Sequence, residues 1–155
     1  MSQLSSAVSA AFAGEYRARA VELHKWVDAL TEDQFWRNPF AYGNSVGHLL
    51  LHLTGNLSYY IGARVAETGY QRNRDLEFSE ARRPSKSEVL RKFDETIAMV
   101  ATTIEAQSET DWTKSYAADR EPEAANRFGI FLRCAVHFYH HVGQIIYLCR
   151  ELTRK

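Results

Sequence analysis

The chain has 155 residues, 45% of them hydrophobic and 25% charged, which is enough apolar material for one core and predicts a single domain over residues 1–155. Lysine plus arginine equals aspartate plus glutamate at 19 each, so no net field draws the chain to phosphate backbones or anionic lipid; nucleic acid and membrane are excluded as expected partners. The opening residues carry neither a basic start nor an apolar h-region, and no window approaches 18 uninterrupted apolar residues, which makes the cytoplasm the expected compartment.

In chain order, the first element is a helix over about 4–30, with Val8, Phe12, Tyr16, Ala20, Leu23, Val27 and Leu30 at helical spacing. Thr31 and Gln34 have capping-box spacing and open a short helical turn that Asn38-Pro39 ends. Asn44 is the expected N-cap of a second long helix, running past Leu49, Leu53, Leu57 and Ile61 to about Gly69. Residues 69–84 are polar and aperiodic and read as a surface connection. Ser85 and Glu88 form another capping-box pair ahead of a third helix, striped with Val89, Phe93, Ile97, Val100 and Ile104. After a second polar connection at 110–125, the most apolar segment of the chain makes a fourth helix over about 125–152. No alternating pattern suggests a strand, so the parts describe an all-α fold, most economically a four-helix bundle.

The last helix contains HFYHHVGQII, with three of the chain's six histidines in five positions. At about 100° per residue, His137 and His141 fall about 40° apart at the edge of the apolar sector, while His140 lies outside it. Imidazoles at i and i+4 stand one above the other and can grip one divalent ion. The second helix carries another such pair, His48 and His52, of which His52 lies nearer the apolar stripe. Two histidines from one helix and one from another make a three-histidine set with open positions, the pattern of a catalytic metal site. His24 stands alone on the first helix and reads as an ordinary boundary residue.

NSVGHLLLHLTGN in the second helix, HFYHHVGQI in the last, and the helix-ending LTEDQFWRNP resemble the DinB/YfiT-like superfamily of bacterial metal-binding four-helix bundles. The likeness covers nearly the whole chain. It implies an up-down-down-up bundle, a homodimer, and a zinc or nickel ion held by His52, His137 and His141. Some members of that superfamily use low-molecular-weight thiols such as bacillithiol or mycothiol, so the implied partners are a small-molecule substrate and a thiol.

A neutral three-histidine set leaves a divalent ion its full charge, so thiol transfer and hydrolysis are both open chemistries, beside a non-catalytic metal-binding stress protein. Groups expected to support the ligands from behind are His48, Asn56, His140 and Gln144, with exposure the simpler fate for His140. Gly55 and Gly143 read as points of close helix approach. Cys134, one turn before His137, reads as a small core hydrophobe, with a soft ligand or reactive thiol as the alternative. Tyr59, Tyr60, Tyr139 and Tyr147 read as core aromatics. Cys134 and Cys149 on one helix would lie roughly 22 Å apart, too far to pair.

Overall fold

The computed structural model describes residues 2–154. Helices dominate, and the described residues contain no strand, only an isolated bridge between Ser115 and Asn126. Helix α1 spans Gln3–Val27 and buries Ala13, Tyr16, Ala20, Leu23 and Val27, one residue per turn. The Thr31–Gln34 capping box is closed in both directions and starts the short α2, Glu32–Trp36. Gln34 also donates to the Leu152 carbonyl at 2.8 Å, tying that turn to the end of the chain's last helix.

Helix α3, Val46–Leu57, is capped by Ser45, whose hydroxyl accepts from the His48 amide. The expected cap at Asn44 is thus displaced by one residue. Beyond Leu57 the helix widens into a π segment, Ser58–Ala63. There the Arg64 amide reaches the Tyr59 carbonyl and the Val65 amide the Ile61 carbonyl, so the Tyr60 carbonyl is skipped. The Tyr116 hydroxyl donates to it at 3.0 Å, which satisfies a backbone acceptor that would otherwise be buried without a partner.

The connection over 69–84 departs from the sequence reading: it contains a helix, α4, Arg74–Ser79, capped by Asn73. Six residues are too few to show a helical stripe, so periodicity passes over it. Helix α5, Lys86–Glu105, is capped by Ser85, but the Glu88 carboxylate turns to Lys92 at 2.8 Å and leaves the reciprocal half of the expected capping box unmade. The short α6, Glu109–Trp112, carries the buried Trp112, whose indole N–H donates to Ser5 at 3.2 Å. Helix α7, Arg127–Leu152, is capped by Asn126.

The four long helices pack in a cycle, α1 against α5 and α7, and α3 against the same two. Between α1 and α5, Arg17 meets Glu105 at 2.6 Å and His24 meets Asp94 at 2.8 Å. Between α1 and α7, Phe12 packs on Phe128, Tyr16 on Phe138, and Trp26 under Arg150. The Ser58 and Thr96 hydroxyls meet across the π segment and α5. Tyr16, Phe35, Phe93, Phe131 and Phe138 fill the shared interior, and the Tyr16 hydroxyl donates to the Phe131 carbonyl at 3.1 Å. No described helix is long and apolar enough to cross a membrane.

Phe131 is fully buried against Trp112 and beside Tyr16. Replacing it with alanine leaves a cavity that its well-packed neighbours cannot fill, so Phe131→Ala should lower unfolding free energy by about 3–5 kcal/mol in urea titration. A loss below about 1 kcal/mol would show that this end of the core is loosely packed.

Candidate metal centre

His52 faces inward because it shares the buried side of α3 with Leu49, Leu53 and Asn56. His137 and His141 are one turn apart on α7, half-buried, beside the fully packed Phe138 and Val142. The docking of α3 on α7 brings the three rings together. The His137 Nε2 lies 3.2 Å from that of His52 and 3.1 Å from that of His141, and one ligand atom from each ring lies within 4.8 Å of the others.

What lies behind each ring decides where its lone pair points. The Nδ1 of His52 lies 2.7 Å from the Glu77 carboxylate, so it carries the proton and donates. The Nδ1 of His141 lies 2.7 Å from the Gln144 side-chain oxygen and donates likewise. Both rings are therefore fixed in the tautomer that aims an Nε2 lone pair into the cluster. His137 Nε2 can donate to only one of them, and its own Nδ1 is buried with no partner. Three imidazoles so arranged leave lone pairs facing one another. Tetrahedral zinc with nitrogens at about 2.1 Å would set those nitrogens roughly 3.4 Å apart, so the two spacings about His137 need only a slight opening, and the donor set fits a divalent ion.

The electrostatics agree. Burial, with the neighbouring rings of His141 and His52, pushes His137 from 6.5 down to about 3, and burial lowers His141 to about 4 against the bond to Gln144. Both rings are neutral, and so competent as ligands, throughout the physiological range.

Glu77 is the residue that the sequence reading missed. It sits on α4 inside the supposed loop, and it is buried. Burial works against its ionisation, but the bonds from Arg72 and His52 outweigh that and hold its carboxyl below the ordinary value. Arg72 grips it with two donors, Nε to Oε1 at 2.6 Å and Nη2 to Oε2 at 2.8 Å. The signal that could have exposed α4 is a good N-cap, Asn73, followed by acids in the first turn, Asp75 and Glu77. Gly55 provides the room: a Cβ there would stand 2.1 Å from Glu77 Oε1. Its role is to admit a carboxylate, where the sequence suggested the approach of a helix.

The other expected supporting residues divide. Gln144 holds His141 and passes the chain on to His140, whose Nε2 accepts from the Gln144 amide at 3.1 Å; His140 itself is exposed. His48 is not part of the cluster, because its Nδ1 pairs with Ser45 at 2.7 Å and its ring packs on Trp36. Asn56 is buried, and the group bonded behind His52 is the Glu77 carboxylate. Cys134 is buried and outside the ligand group, and burial pushes its thiol up to about 12. Cys149 is likewise a free, buried thiol.

An all-helical fold that brings the ligand atoms of three histidines within 4.8 Å of one another makes this a helical protein with a group that could hold a metal ion. The chain belongs to the DUF1572 family, described as proteins of unknown function, whose model matches residues 8–155. Nothing matches among curated proteins or among solved structures.

Two outcomes test the geometry. Glu77→Gln keeps the size but weakens the acceptor on His52, and zinc affinity measured by chelator competition should fall about ten- to a hundredfold; unchanged affinity would reduce Glu77 to a structural ion pair. In the metal-free protein the folded pKa values of His137 and His141 lie below the unfolded value of 6.5. The unfolded chain then binds protons that the folded chain refuses, so stability is full above about pH 6.5 and falls as the pH drops toward about 4. Urea midpoints at pH 7 and pH 5 should show that fall in the wild type and a smaller one in His137→Gln.

Proposed function

We propose that this chain is a divalent-metal-dependent enzyme built on an up-down-down-up four-helix bundle of the DinB/YfiT-like kind, acting in the cytoplasm as a homodimer. The sense of the helix contacts supports the topology. Along α1 and α7 the paired residues rise together, 12 with 128 and 26 with 150, whereas along α1 and α5 they run oppositely, 17 with 105 and 24 with 94.

The observation that carries the functional reading is the convergence of three Nε2 atoms, two of them fixed by acceptors behind the ring. His52, His137 and His141 would hold the ion, with zinc or nickel the candidates. A divalent ion on three neutral ligands supplies Lewis acidity, which makes a thiol or a water nucleophilic near neutral pH. The protein's own contributions are positional. Glu77 and Gln144 set the ring angles, and Phe78, its ring 4.8 Å from that of His52, shields that ring from solvent on the α4 side.

Transfer of a low-molecular-weight thiol to a small electrophile is the reaction we propose. The buried, protonated Cys134 and Cys149 offer no protein nucleophile, so a sulfur nucleophile would come from solution. Hydrolysis of an ester or amide needs the same site with water in place of the thiol, and a non-catalytic stress-related role needs only the metal.

Elemental analysis of untagged protein should find about one zinc or nickel per chain, lost in His52→Ala and His137→Ala. Metal content that those substitutions leave unchanged overturns the assignment. With the metal-loaded protein, a panel of thiols against aromatic and alkyl electrophiles should give thiol-dependent consumption of the electrophile. Turnover of esters or amides without thiol would favour the hydrolase instead, and loaded protein inert in both screens would favour the non-catalytic role.

A further inference from the structure

Gly143 has no explanation within the chain. It lies on the exposed side of α7, and a Cβ built there meets nothing within 4 Å. Glycine is the least favourable residue after proline inside a helix, and here neither a positive φ nor a close neighbour requires it. The space above it belongs to a groove of about 470 Å³, walled by Phe40, Tyr42, Leu49, Tyr147 and Leu148. Tyr42 and Tyr147 are 77% and 72% exposed, so both rings present faces that the fold does not cover. Tyr147, read from the sequence as core, therefore stands at the groove's rim.

Gln144 also lines the groove, and its side-chain oxygen holds His141. The groove thus begins one side chain away from the histidine cluster. Its volume falls in the range of small-molecule sites, about 300–1,000 Å³, and its walls are mostly apolar and aromatic. Phe40 and Tyr42 stack at 5.7 Å with their planes 12° apart, making a flat wall at one side.

We propose that this groove binds the apolar, ring-bearing part of the substrate, with Gly143 keeping it open one side chain away from His141. The assignment rests on the proposed metal-dependent reaction and names the substrate class for it, an aromatic or similarly flat apolar small molecule. Leu49 forms the floor, one turn before His52. Phe40 and Tyr42 offer a face for ring stacking, and Gln144 is the polar group where the groove meets the cluster.

The test uses the neutral fluorophore N-phenyl-1-naphthylamine with the full-length protein. Wild type should bind it saturably, and the ring-proton NMR signals of His141 should shift during the titration while those of His24 stay. Gly143→Leu adds a side chain at a position where a Cβ meets no atom within 4 Å, and it should weaken binding at least tenfold while leaving zinc content and elution volume unchanged and the melting temperature equal or higher. Gly14→Leu, at an equally open glycine on α1, should bind the probe as wild type does. Absence of saturable binding in the wild type, or equal binding in Gly143→Leu, overturns the proposal. A shift of Gly143→Leu to a smaller oligomer also overturns it, since the groove would then be covered by a second copy. Metal content separates the two readings: wild type without metal that still loses the probe in Gly143→Leu refutes the metalloenzyme and keeps the groove.

Discussion

The bond between His52 Nδ1 and the Glu77 carboxylate is the contact on which the site depends. A buried carboxylate is tolerable only if its charge is matched, and Arg72 does this with two short donors while its guanidinium lies over the Tyr60 ring. The same bond staples α4 to α3, fixes the proton of His52 on the far nitrogen, and turns the near one toward α7. It exists because Gly55 has no side chain, so a backbone gap on one helix admits a carboxylate from the next. Removing any member leaves another buried and unpaired, which costs more than the missing bond itself.

The cluster that results is over-supplied with lone pairs. His52 and His141 each direct one inward, and His137 can answer only one of them with its single Nε2 proton. Protonating His137 or His141 is no remedy, because burial and the adjacent imidazoles already depress proton affinity there. A dication differs from a proton in bonding all three nitrogens at once. The features that make the cluster poor at holding a proton leave it well matched to a metal.

Much of this was legible in the sequence wherever a regular period carried the information. The long helices, the sharing of a face by His137 and His141, and the outward position of His140 follow from 100° per residue along an unbroken helix. Caps were legible to within a residue, and Ser45 displaced Asn44 because its hydroxyl reaches the His48 amide. Glu77 and Arg72 were not legible, because they lie in a connection whose only helix is six residues long and whose placement on α3 is a tertiary event. Gly55 lies under the same short helix: what comes close to it is the Glu77 carboxylate of α4, and that carboxylate is what holds His52.

His52 and His137 are 85 residues apart, and neither helix can assemble the ligand set alone. The site is therefore a property of the docked state, in which α3, α4 and α7 meet, and the unfolded chain has no comparable affinity. Any ion bound there stabilises the fold by mass action, through the same contacts that hold α3 on α7. In the proposed metal-dependent reaction this coupling would also constrain turnover. The helices that carry the ligands are core elements, anchored by Leu53, Phe138 and Val142, so they are poor candidates for movement during a reaction cycle. Access to the cluster must then come from its solvent side, where His137 and His141 are only half-buried and the ring of His140 is joined to His141 through Gln144. A rigid histidine set reached from an open side would suit the small substrates of the proposed reaction, which could arrive and leave without opening the protein.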